Sequence, residues 1–190
     1  MTISVPTDWT GPYRQCRTEL GDALLAWDFS QAFHALNPSY TGSATVEVVE
    51  NWPDVRIDQL QQANNGMMTK PIISLVLGHT GNDPRSLGSI SNLPTTSPPA
   101  DGMKRIATRV TVGILVSCWA DMQLGGYGMV EALAGHCQAC VFANQRTLAT
   151  FRHLRVHNDG VAYEDRPGVV TIDLVVQGDA IMSIDVPDNY

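Results

Sequence analysis

Apolar residues recur along this chain at two spacings, and the switches between them mark its elements. Over residues 13–36 they fall three and four apart. Leu20, Leu24 and Trp27 make one stripe, and Leu25, Phe29, Phe33 and Leu36 make another beside it. That spacing predicts an amphipathic helix with a wide apolar face, meant to lie on a sheet. Asn37-Pro38 ends it, because the residue before a proline is pushed out of the α region. A short strand is expected at 44–49, a turn at Asn51-Trp52-Pro53-Asp54, and a fully apolar strand at 71–77. Between the last two, residues 59–65 are polar and weakly patterned.

Residues 105–120 form the strongest strand signal. Val110, Val112, Ile114, Val116 and Cys118 face one way, and Thr111, Gly113, Leu115, Ser117 and Trp119 the other. The second set mixes small and large side chains, which points to some cover on that side as well. The spacing returns to helical over 127–145, where Val130, Leu133, Cys137 and Val141 form the inward stripe, with Ala134 and Cys140 alongside. Strands at 151–157 and 169–176 are joined through Asn158-Asp159-Gly160, a hairpin signal. A last strand at 181–186 stops at Pro187. These elements predict a single α+β domain over 1–190, with a mainly antiparallel sheet packed by two amphipathic helices.

One segment has no period at all. Residues 79–102 contain Gly81, Asn82-Asp83-Pro84, Pro94 and Ser97-Pro98-Pro99, and with the approach to the next strand they make an extended loop at 79–104 inside a hairpin. A structureless excursion of about 25 residues is unusual in a compact domain and calls for a function. Its prolines lower the entropy lost when such an arm is ordered on a partner, since their φ angles are already set.

Composition then narrows the class. Apolar residues make up 44%, enough for a substantial core, while only 16% are charged, a low share that favours burial of surface against copies or partners. The net charge of -7 and a pI near 5.0 set the chain as a whole against nucleic-acid phosphates. Two local basic groups, Lys104, Arg105 and Arg109, and Arg146, Arg152 and Arg155, lack the interleaved aromatics of a stacking platform and read as solvated element ends. The chain opens Met-Thr-Ile-Ser-Val-Pro, without a secretory pattern, and no apolar run approaches the ~20 residues that span a bilayer. A reducing cytoplasm, with Cys16, Cys118, Cys137 and Cys140 as thiols, is the expectation.

Candidate chemistry is sparse. Cys137 and Cys140, with His136 beside them, have the two-residue gap of zinc knuckles, but they lie in a helical pattern and no second ligand pair follows. His153 and His157 would share a metal on a helix, yet on a strand they stand about 13 Å apart. His34 and His79 are alone. No Gly-x-Ser-x-Gly elbow is present, and Asp121, Asp159, Glu164 and Asp165 fall in turns with ordinary solvated roles. Gly125-Gly126-Tyr127-Gly128 precedes a helix, but its spacing fits neither a phosphate loop nor a dinucleotide fingerprint, and no lysine follows. The expectation is a protein without catalytic residues, metal or cofactor, working by shape and contact.

The order of parts is a long first helix, strands, a strand ending Val116-Ser117-Cys118-Trp119-Ala120-Asp121, a helix, and closing strands that include Gly168-Val169-Val170-Thr171-Ile172-Asp173-Leu174. This layout resembles the tail terminator, or tail-to-head joining, proteins of long-tailed bacteriophages. The likeness is best over 105–177 and poor between 52 and 102, where the chain is longer than the family's usual connections. In that family the strand before the second helix tends to end on an exposed aromatic and acidic pair. The resemblance implies a virion protein assembled in the host cytoplasm, a ring of six copies that caps the tail tube protein and docks on the head-to-tail connector protein, with no membrane. DNA would pass through an acidic lumen without specific binding. The 79–104 loop would then pack on a neighbouring subunit or the adjoining ring through Asp83, Arg85, Leu87, Leu93, Pro94, Pro98 and Pro99. Two other readings stay open. One is a different phage neck or tail-tube component. The other is a small cytoplasmic enzyme or ligand-binding domain, with a pocket between helix and sheet lined by Trp119, His136 and the Tyr127 region.

Overall fold

A computed structural model describes residues 11–37, 45–78, 81–86, 102–157 and 160–187. Its spine is two 19-residue strands, β4 (Met103–Asp121) and β7 (Val169–Pro187), which pair antiparallel rung by rung from Met103↔Pro187 to Asp121↔Val169. The β-branched residues frequent in both strands suit a pleated surface. On the free side of β4 lies β2 (Ile72–Leu77), antiparallel, with β1 (Glu47–Val49) parallel beyond it. β3 (Gly81–Ser86) also pairs with β4, further along. β5 (Arg152–His157) and β6 (Tyr163–Arg166) share the outer edge of β7. The sheet order is β1-β2-β4-β7-β5, mixed but mostly antiparallel, and the fold is α+β as the periodicities require.

Alternation along the strands gives the sheet two faces. The first is covered by α1 (Gly11–Leu25), α2 (Ser30–Leu36) and α4 (Gly126–Asn144). Leu20, Leu24, Val130, Leu133, Cys137 and Val141 from these helices share one buried cluster with Val112, Ile114, Val116, Ile172 and Leu174 from the strands. On the second face α3 (Asp54–Ala63) sets Ile57 and Leu60, with Met68, over Ile72, Trp119 and Val169 at one end of the sheet. The mixed second face of β4 is therefore covered, as expected, but over part of its length.

Several expectations are corrected. The helix over 13–36 is two helices, because α1 closes with Trp27 N–H on Leu24 carbonyl, and Asp28 accepts the N–H of Ser30 at 2.8 Å to start α2. The second stripe is split by the break, with Phe33 and Leu36 on α2 and Leu25 at the end of α1, where it is left exposed. The weakly patterned stretch around 59–65 lies largely within α3, whose inward face needs only Ile57 and Leu60 because the patch it covers is small.

Strand 181–186 is not separate, since β7 runs through Gly178 without a break. The strand at 151–157 pairs with β7 as expected, although β6 intervenes between them along the chain. Asn158 and Asp159 lie outside the described residues, and the tight turn is Pro167-Gly168 between β6 and β7, where Gly168 has φ +78° and donates its N–H to Glu164. Finally, the extended loop at 79–104 contains a strand, β3, and the first residues of β4. The free edge of β4 recruits Gly81 and Asn82 despite their turn-forming sequence, and Pro84, which has no N–H to give, sits where the register slips between Asn82 and Ser86.

Candidate functional site

The second face beyond α3 is built around an irregularity in β5. Arg152 pairs with Asp179 and Arg155 with Gln177, so β5 takes three steps where β7 takes two. This is a bulge, and His153 provides it by adopting φ +51°, a conformation uncommon outside glycine. The facing residue must be small. A Cβ on Gly178 would come within 2.6 Å of the Phe151 ring and 2.7 Å of both the Arg152 carbonyl and Leu154. The bulge turns His153 over β7, where its Nδ1 lies 3.2 Å from Asp179 Oδ2, and Arg109 Nη1 lies 4.0 Å from the same oxygen.

The result is an open groove of about 170 Å³ lined by Thr111, His153, Arg155, Gln177, Gly178 and Asp179. Arg155 lines the groove and Arg109 stands beside it against Asp179, so among the described side chains two guanidiniums face one carboxylate. Water-exposed ion pairs of this kind contribute at most about 1 kcal/mol to folding. Beside the groove, Val76, Leu115 and Val175 form a row across β2, β4 and β7, ending at His157 on β5. Val175 is 41% exposed, and Ile181, opposite Arg109, is 47% exposed.

The α3 end of this face is acidic. Arg166 on β6 pairs with Asp54 and, at 2.9 Å, with Asp58, so one guanidinium straps α3 to the sheet. Asp165 lies 3.7 Å from the same guanidinium, and Asp173 accepts the Tyr163 hydroxyl at 3.2 Å. On its other flank α3 is held through Arg56 and Lys70, both bonded to Glu47, and these partners draw the Glu47 carboxyl below its ordinary pKa, Arg56 most strongly.

The residues singled out in the sequence separate into distinct roles. Of the expected interface set, Asp83 and Arg85 stand on β3, while Leu87, Leu93, Pro94, Pro98 and Pro99 lie outside the described residues, as does His79. Cys137 and Cys140 do not converge on one ion site. Cys137 Sγ lies 3.8 Å from Cys118 Sγ, so Cys118 is not isolated, and Cys140 donates to the Ala23 carbonyl. All four cysteines are free and buried. Burial raises the Cys16 thiol to about 12 and the Cys140 thiol to about 11, and the Cys118 contact followed by burial raises Cys137. His153 and His157 sit on a strand as expected, and no grouping of three metal-ligand side chains occurs among the described residues.

Asp121 is not a solvated turn residue. It is buried, accepting the N–H groups of Met68 and Gln123, and Trp119 beside it is 3% exposed with its indole N–H on Ser74. The strand ending is thus covered by α3 and Met68 rather than exposed. The glycines before α4 allow close packing. Gly125 and Gly126 have φ +97° and +47°, and a Cβ on either would press on Leu36 or Met122. Trp119 lies on the face opposite α4, which carries Tyr127 and His136, so the three line no common pocket. His136 instead accepts the Trp27 indole N–H at 3.4 Å and stacks obliquely on Phe29.

The groove itself escaped sequence reading. Arg152 and Arg155 were visible as a basic group, but the bulge that sets His153 over Asp179 depends on a contact 26 residues away. No protein-family model matches the chain, and no curated protein matches it. No helix among the described residues is long and apolar enough to cross a membrane.

Proposed function

We propose that this chain is a structural subunit of a bacteriophage tail, a tail terminator that forms a ring with its own copies at the head-proximal end, stops growth of the tube and joins the tail to the head connector. The observation that carries this reading is the contrast across one sheet. Three helices close its first face, while half of the second presents Val175 and Ile181 to solvent beside a positive groove. An apolar row next to fixed charge is what a subunit contact needs, with burial for affinity and charge for register. The layout resemblance over 105–177 selects the phage tail among assemblies. The ring is taken as six copies, with DNA passing through its lumen unbound and the whole residing in the virion.

The segment 79–104 contributes a second contact in this reading, on a neighbour or the adjoining ring. Asp83 and Arg85 are carried by β3, with Leu87, Leu93, Pro94, Pro98 and Pro99 beyond it. Light scattering at micromolar concentration, with electron microscopy of the same sample, tests the proposal. Rings, or subunits that cap tail tubes, are expected. A monomer that neither self-associates nor caps tubes overturns it. Replacing residues 87–100 by a short Gly-Ser link, which spares β3, should leave the fold intact and weaken assembly.

A further inference from the structure

Charge is sorted along the second face in a way the fold itself does not require. At one end α3, β6 and β7 gather Asp54, Asp58, Asp165 and Asp173, with Arg166 the cation bonded among them. Arg56 and Lys70, on the far flank of α3, are engaged with Glu47. At the other end His153 and Arg109 face the carboxylate of Asp179, and Arg155 lines the same groove. The two ends share one strand and one side of the sheet. Val169 and Asp179 are ten residues apart on β7, a separation of about 34 Å. The exposed Val175 lies between them. Among the described side chains, internal pairing leaves the first end negative and the second positive.

We infer that the acidic corner formed by α3 and the β6–β7 turn of one copy seats in the groove lined by Arg155, beside Arg109, of a second copy, with Val175 and Ile181 buried at the contact. The inference rests on the reading that the chain self-assembles, and it names where it does so. Charge complementarity chooses the occupant. A chain with net charge -7 offers many carboxylates, but here the opposite signs are both fixed on rigid strands and helix of one face, so each copy carries donor and acceptor for the next. A nucleic-acid backbone would meet the acidic corner as well as the groove and be repelled there.

The test compares wild type with two charge-reversed proteins, Arg109→Glu with Arg155→Glu, and Asp165→Lys with Asp173→Lys, by sedimentation at micromolar concentration. Each reversed protein alone should associate at least about tenfold more weakly, and an equimolar mixture of the two should recover the association. Raised salt should weaken the wild-type complex, a readout that needs no variant, and thermal melting checks that each variant is folded. An oligomer indifferent to both reversals and to salt overturns the inference while leaving self-assembly standing. A wild type that is monomeric throughout overturns both. Stoichiometry bears on the ring reading alone, since pairs in place of rings would sustain this contact and refute the ring.

Discussion

The two faces of the sheet are made from the same strands but finished differently. On the first, side chains from three helices interlock with β2, β4, β5 and β7, and Leu20, Leu24, Leu133, Ile114 and Leu174 are sealed from water. On the second, one ten-residue helix covers one end through Ile57 and Leu60, held by ion pairs on both flanks. Stability therefore belongs to the first face. The second is tied down with charges, which contribute less in water than burial does, and beyond α3 no described helix covers it.

Mutations should divide along that line. The largest effect is expected from Leu133→Ala in α4, about 2–5 kcal/mol in denaturant unfolding, because a cavity opens in a close-packed layer. Val175→Ser on the open half should stay within about 0.5 kcal/mol while weakening self-association. If the two cost the same, the division of labour between faces is wrong. Next comes Gly178→Ala, where the new methyl meets Phe151, the Arg152 carbonyl and Leu154. A loss of about 1–3 kcal/mol is expected, with the bulge and the His153–Asp179 contact disturbed.

The charged flank of α3 should show itself through pH. Partners hold the Glu47 carboxyl below its ordinary pKa, so its stabilising contribution is present above the unfolded-state value and is lost as pH falls through the lowered one. Glu47→Gln should be less stable than wild type at neutral pH, and the two unfolding curves should converge in acid. A gap that persists at low pH would assign the effect to packing. A small gain is expected at Thr171, whose hydroxyl is buried on the second face without a hydrogen-bond partner among the described residues. Thr171→Val keeps the shape and removes the desolvated group, so unfolding should show a gain of up to about 1 kcal/mol. A loss would mean that the hydroxyl is satisfied in solution.

Much of this architecture was legible beforehand because alternation and helical spacing report burial directly. β2, β4, β5 and α4 lie within a few residues of where Ile72, Val110–Val116, Leu154 and Leu133 predict them. α3 was missed because a helix covering a small patch needs few apolar positions, and Asp54, Arg56 and Asp58 act through ion pairs that leave no periodic trace. The interface residues expected at 79–104 were chosen for composition alone. The groove lies elsewhere, on β4, β5 and β7.

What the sequence determined by itself is the main strands β2, β4, β5 and β7, the α4 helix and the α+β class, since each depends on neighbours a few positions away and on which side chains shun water. What only the tertiary structure decided depends on partners far along the chain. The Trp27 indole finds His136, the Glu19 carboxylate accepts the N–H groups of Thr150 and Phe151, and Asp121 accepts from Met68. His153 meets Asp179 only because Gly178 leaves room for a bulge. No local pattern encodes such contacts, for their energy exists only once the strands have paired.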